Sequence, residues 1–433
     1  MTGQRYSSAD SSNIILSLSF GGFIKDAGQY VIWVIMSVYL YSVWRMPYLS
    51  IGLVFLISGL IAIPVTFYGG HLIDRYGRKR PAILISMAMS IFSVSLFLLV
   101  FYHYNLPLIL SLFIASGPLQ SFDYVIMGAI IADVTPESER INGFSSLRIA
   151  SNVGIGVGLV MGGLLSMLNY SYVFILPASG YFIAMLIIYF RIPETVPEAS
   201  TNQDHLKLSQ LLNPLKDRSF IMISILLSMG WFITGMFESS LTPLYFESVN
   251  HIDPIIITLL FAVNTVVVVV LQKPINRFVL KMRDSTRIIT GVMFYAVAFA
   301  IFSITAQYAV LIMCVVILTI GENLQAPASS SMITKMAPED NRGIYLGLNS
   351  SISSMTSPFR PLLGSVLLTL FIGRPQLTWV MISTSCVAVA ISLASKMGSG
   401  ANYLTLSPTL TNAYISLFIL SAFEATSVTE WPF

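Results

Sequence analysis

Apolar runs of about 20 residues or more recur along nearly the whole chain, and no other feature limits its fold as strongly. A run that long matches a helix crossing the hydrocarbon of a bilayer, where only helices or closed barrels satisfy every backbone polar group. Twelve such runs can be marked, over about 13-43, 50-73, 81-103, 107-134, 143-168, 172-190, 219-246, 254-272, 288-306, 309-336, 343-372 and 377-395. Of the 433 residues 55% are hydrophobic and 10% charged, where soluble domains carry about 25% charged residues. The sequence therefore reads as an all-α integral membrane chain. Residues 1–12 are short and polar, and the first apolar run is a full span, so no cleavable signal peptide is read.

Orientation follows from the cations between the spans. Arg75, Arg78, Lys79, Arg80, Arg140, Arg191, Lys207, Arg287, Lys335 and Lys396 all fall on one side, with Arg45 and Arg374 on the other. By the positive-inside rule that crowded side, and the N-terminus with it, is cytoplasmic, which predicts a multi-pass protein of the cytoplasmic membrane. The net charge of +3 is spread over loops and forms no basic soluble face, so nucleic acid is not an expected partner. Cys314 and Cys386 lie inside apolar runs, which argues against a disulfide framework or a thiolate metal site. No phosphate-binding loop, nucleophile constellation or His/Cys cluster is present, so neither an enzyme nor a cofactor or metal is expected.

One polar island stands out, Gly70-His71-Leu72-Ile73-Asp74-Arg75-Tyr76-Gly77-Arg78-Lys79-Arg80, read as a tight turn between two buried helices. It has a partner. Asp74-Arg75-Tyr76 reappears 202 residues later as Asn276-Arg277-Phe278, and Pro136-Glu137-Ser138-Glu139-Arg140 reappears at the same offset as Pro338-Glu339-Asp340-Asn341-Arg342. Gly162 likewise aligns with Gly364. Three matches at one offset predict a duplicated six-span unit: an N-terminal bundle over 1-190, a cytoplasmic linker over 191-218 and a C-terminal bundle over 219-396. The tail, 397-433, is left open between an interfacial helix, an unstructured extension and a vector remnant.

The spacing Gly70-x-x-x-Asp74-Arg75-x-Gly77-Arg78-Lys79 resembles the signature loop between the second and third helices of major facilitator superfamily (MFS) transporters. The fifth span adds Gly154, Gly158, Gly162 and Gly163, similar to the glycine pattern of MFS antiporters except that Leu159 stands at the proline position. The resemblance, nearest to the twelve-span drug:proton antiporter group, implies two pseudo-twofold-related six-helix bundles with substrate bound near mid-membrane between them. It also implies a gating latch in which Arg78 pairs with Asp133 while Asp74 faces the N-terminal end of span 11.

Ionisable residues at membrane depth sharpen the reading. They are Lys25, Asp26, Asp123, Arg148, Glu238, Glu322 and Arg360. Each costs roughly 2.5 to 3.5 kcal/mol at the bilayer centre, so they must face one another or water. Four of them stand in polar stripes at helical spacing: Asn349-Ser353-Ser357-Arg360-Gly364 in span 11, Ser224-Ser228-Gly235-Glu238-Thr242-Tyr245 in span 7, Ser116-Gln120-Asp123 in span 4 and Ser145-Arg148-Asn152 in span 5. Small-residue helix packing would give similar stripes; the charges tip the balance towards a wetted cavity. Asp26, Asp123, Glu238 and Glu322 are the candidates for proton coupling, and Glu322 could pair with Arg360. Lys25, Tyr30, Gln120, Trp231, Asn323 and Arg360 are candidates to line a substrate cavity.

The expected function is a proton-coupled secondary transporter of small molecules working by alternating access, an exporter of drug-like compounds. The alternatives are a proton symporter for an organic anion or sugar-like metabolite, and a non-transporting receptor that kept the fold. The expected partners are a small-molecule substrate, protons and membrane lipid, and the chain is expected to be a monomer.

Overall fold

The computed structural model describes residues 8–135, 140–194, 213–338 and 341–397. These residues are helical almost throughout, with no strand among them. Most of the segment read as a linker, and the tail from 398, lie outside the described residues. The first six spans appear as α1 (Ser8–Ser42), α2 (Tyr48–Tyr76), α3 (Lys79–Phe101), α4 (Leu106–Val134), α5 (Arg140–Leu168) and, after a 3-10 turn at Tyr170–Phe174, α6 (Ile175–Arg191).

The later spans follow the expected order with two interruptions. Span 7 is divided into α7 (Arg218–Thr234) and α8 (Leu241–Ser248), and span 11 into α12 (Arg342–Thr356) and α13 (Phe359–Leu370). Between them lie α9 (Pro254–Phe278), α10 (Asp284–Phe302) and α11 (Tyr308–Met336), and α14 (Leu377–Met397) is the last. Nine helices among the described residues are long and apolar enough to cross a membrane.

The sequence reading of spans 7 and 11 as unbroken helices needs correction, because hydropathy does not register backbone breaks. Gly235 ends α7, and the Ser239 and Thr242 hydroxyls then take up main-chain groups: Leu241 N–H donates to Ser239 Oγ at 3.2 Å and Thr242 Oγ1 donates to the Phe237 carbonyl at 2.7 Å. In span 11, Pro358 has no N–H to continue α12, and the Thr356 and Ser357 hydroxyls donate to the carbonyls of Ser353 and Ser354 at 2.8 and 2.9 Å. The polar island also differs from its reading. Nothing stops α2 before Tyr76, so Gly70 through Tyr76 are helical and the turn is Gly77-Arg78 alone.

By packing the chain forms two compact units, one of residues 1–206 with 246–270 and one of residues 207–245 with 271–433. In the first, α1 packs on α5 and α6, α2 on α4, and α3 on α4 and α6. In the second, α7 packs on α12 and α14, and α10 on α11 and α14. Third against fourth, third against sixth, first against fifth and first against sixth thus recur in both. Lipid tails are as apolar as leucine, so close contact rather than water exclusion must hold such helices. The α5 glycines supply it: Gly154 and Gly158 lie on the backbone carbonyls of Phe23 and Ala27, and Gly162 on the Val31 side chain.

Candidate functional site

Three clusters gather the candidate residues. The first lies where α1 meets α4 and α5. Lys25 forms an ion pair with Asp123 Oδ2, both side chains almost fully buried at 7% and 5% exposure. Asp26, the next residue, turns to α5, where it shares a hydrogen bond with Ser151, and it stays within electrostatic range of Lys25 and Asp123. One turn earlier on α4, Gln120 Oε1 accepts from Trp33 Nε1 at 3.3 Å. Trp33 packs between Phe55 and Phe113, their ring centroids each 5.3 Å away. A tilted aromatic cluster therefore adjoins the charged rung. Tyr30 stands on α1 between Asp26 and Trp33, half-buried.

The second cluster is built on the two helix breaks. Glu238 lies in the break between α7 and α8 and is exposed. Arg360 lies in the first turn of α13, and its Nη2 donates to the Trp231 carbonyl at 3.1 Å. Gly235 makes room for it, since a Cβ there would stand 2.5 Å from Arg360 Cζ. Arg360 attracts Glu238, and Tyr295 of α10 lies within electrostatic range of Glu238, Glu322 and Arg360. Ser228 and Ser353 meet at 2.9 Å, so the polar stripes of spans 7 and 11 face each other. Asn323, beside Glu322 on α11, is buried at 2% exposure.

The third cluster is the α2–α3 turn. Gly77 has φ +82° and ψ −178°, a positive-φ extended conformation that is open essentially to glycine alone. Arg78 forms an ion pair through Nε with Asp133 Oδ2 at 2.9 Å and donates from Nη1 to the Ile73 carbonyl at 2.8 Å. Lys79 stands over the Tyr189 ring, 5.7 Å from its centroid. The side chains of Asp74 and Arg75 lie outside the described residues, so the expected contact of Asp74 with span 11 is not described. Gly70 is helical, and Gly163 of the fifth-span pattern meets the Thr258 hydroxyl of α9.

Sequence reasoning missed Glu194. Its Oε1 accepts from the backbone N–H groups of Arg78 and Lys79, at 2.7 and 3.0 Å, and so caps the positive end of α3. A Cβ on Gly77 would lie 2.5 Å from that oxygen. The only signal was a carboxylate beside Pro193 at the end of span 6, and it looked like the start of a solvated linker. Ser151 and Tyr295 were also not assigned roles, because uncharged neighbours carry no charge pattern of their own.

Comparison with known proteins agrees with the helix order. The family model described as Major Facilitator Superfamily matches residues 18–306 and 239–401. An uncharacterized MFS-type transporter of Bacillus subtilis (strain 168), YttB, is 26% identical over 352 residues, covering 81% of this chain and 87% of the relative. A Na(+), Li(+), K(+)/H(+) antiporter of Planococcus maritimus is 25% identical, covering 71% and 79%. The quinolone resistance protein NorA of Staphylococcus aureus (strain MRSA252) is 25% identical, covering 80% and 87%. Among solved structures, the nucleoside transporter NupG superposes with a TM-score of 0.71 at 15% identity, covering 88% of this chain and 98% of that one, a likeness of fold alone.

Proposed function

Because the chain belongs to the Major Facilitator Superfamily and is a multi-pass membrane transporter rather than an enzyme, we propose that it is a proton-coupled exporter of drug-like small molecules working by alternating access. The observation that carries the reading is the Lys25, Asp26 and Asp123 cluster. Two carboxylates and one ammonium buried together at membrane depth are costly to insert and gain their use by exchanging a cation. An acid in such a place changes its protonation with its surroundings, and rocking of the helices around it supplies that change. Export is supported by the likeness to NorA, whose name records quinolone resistance, and by the glycine stripe that seats α5 on α1.

Arg360, Trp231, Glu238, Glu322 and Asn323 make up the second polar centre of this reading. Half-helix ends at the two breaks suit the recognition of a polar substrate group, as in other broken-helix transporters. Arg78 and Asp133 form the gate, on the side read as cytoplasmic, with the N-terminus on that side of the cell membrane and the protein acting as a monomer.

Purified protein in proteoliposomes tests the proposal. A fluorescent quinolone or amphipathic cation should move against an imposed pH gradient, and Asp26→Asn or Asp123→Asn should abolish gradient-driven flux while sparing substrate exchange. Flux indifferent to the sign and size of the pH gradient would refute proton coupling.

A further inference from the structure

The Lys25 cluster contains polar atoms that its ion pair does not use. Among the described residues, Asp123 Oδ1 and both ends of the Gln29 side chain are buried without a hydrogen-bond partner. Gln29 is 1% exposed and Asp123 4%. Leaving such groups unbonded in a dry interior is costly at every atom. Gln29 stands four residues after Lys25 and four before Trp33. Both neighbours reach α4, Lys25 at Asp123 and Trp33 at Gln120. Helical register therefore sets Gln29 on the same α4-facing stripe, between the two rungs.

The charges point the same way. Asp26 and Asp123 bring two negative charges and Lys25 one positive, while Arg148, one turn before Ser151 on α5, is exposed. One added positive charge balances the cluster and two overshoot it. Gln29 Nε2 is a donor; the acceptors on offer are all oxygens, those of Asp123 Oδ1, Gln29 Oε1, the Asp26 carboxylate and the Ser151 hydroxyl, which suit hard cations rather than thiol-seeking metals. A crevice lined by Ser17, Leu18, Gly21, Gly22 and Met127 reaches Lys25.

We infer that Asp123, Gln29 and Asp26 form a site for a small monovalent cation, Na+ or Li+, which takes the place of the Lys25 ammonium on Asp123. This rests on the reading of the cluster as the coupling centre and adds the identity of a second ion that competes with the proton there. Lys25 then acts as a tethered competitor, occupying the carboxylate when neither small cation is bound.

Thermal melting of the full-length protein in detergent tests it, with NaCl or LiCl titrated against choline chloride at constant ionic strength. Wild type should show a saturable upward shift with Na+ or Li+ and none with choline, weakening as pH falls. Gln29→Leu should weaken the apparent affinity about tenfold or more, and Asp123→Asn should remove the response. Where Asp123→Asn does not fold, Lys25→Ala serves instead, and the loss of the competitor should tighten cation binding about tenfold. An equal shift in choline, or a Na+ response untouched by all of these substitutions, overturns the inference. Flux driven by pH with no cation response defeats the site and leaves the proposed function standing; a cation response in a protein whose flux ignores pH does the reverse.

Discussion

Lys335 ends α11 where Asp133 ends α4, at equivalent positions of the internal repeat, and the two carry opposite charges. Asp133 pairs with Arg78 at the start of α3, and Lys335 pairs with Asp284 at the start of α10, 2.6 Å away. Ser331 and Arg287 also hold Asp284, at 2.8 and 3.9 Å, and Arg287 Nη2 donates to Asn276, the counterpart of Asp74, at 3.0 Å. The link between the third and fourth helix is thus kept in both halves with its polarity reversed. Asn276 breaks the signature of the second loop, but its brace persists in other residues.

The two braces should differ in strength, because Arg78 and Asp133 are 6% and 25% exposed while Lys335 is 71% exposed. Double-mutant cycles read by unfolding in mixed micelles should give a coupling above about 1 kcal/mol for Arg78 with Asp133. For Asp284 with Lys335 they should give less than about 0.5 kcal/mol. Equal couplings would contradict the role given to burial.

Glu194 should matter to both stability and gating. Glu194→Ala removes the carboxylate from the start of α3 and should cost about 1 kcal/mol, with a lower melting temperature and slower flux. Gly77→Ala should be at least as damaging, through its φ of +82° and the approach of Glu194. A Glu194→Ala protein with wild-type melting and flux would show that the cap is dispensable.

Two glycine substitutions should separate close packing from chain flexibility. Gly158→Ala places a Cβ against the Ala27 carbonyl and should cost about 1 to 3 kcal/mol by forcing α5 off α1. Gly347→Ala, in α12 with nothing within 4 Å of its Cβ, should be neutral or stabilise by about 0.5 to 1 kcal/mol. Folded yield and melting temperature after detergent extraction measure both.

Gly235→Ala should spare folding and impair transport. The group it meets is the end of a flexible arginine, which can swing aside at little cost, but Arg360 then loses the Trp231 carbonyl. Melting within a degree or two of wild type, together with a raised KM, is the expected pair of results. A lowered melting temperature with normal transport would make Arg360 a brace instead.

Most of the helix order was legible in the sequence because a bilayer imposes span length and apolarity on every segment. The need for the buried charges to be partnered was legible too, since an isolated ion at that depth is so costly. The pairings were not. Lys25 and Asp123 lie 98 residues apart, and nothing local tells Lys25 to choose Asp123 over its neighbour Asp26. Glu194 was hidden for the same reason, 116 residues from the turn that it caps. The breaks at Gly235 and Pro358 escaped notice because serines and one proline inside an apolar run barely alter hydropathy, while their hydroxyls decide where the main chain leaves the helix.

The interruption of span 7 has a consequence for mutagenesis. Between Thr234 and Leu241 the main chain turns on its own hydrogen bonds, Met236 N–H to the Ile233 carbonyl at 3.1 Å and Ser239 N–H to the Met236 carbonyl at 3.3 Å, and Arg360 adds a bond to the Trp231 oxygen at its edge. Alanine scanning leaves such atoms in place and will under-report this region. Backbone chemistry, by amide-to-ester exchange or an inserted proline, is the intervention that can delete them.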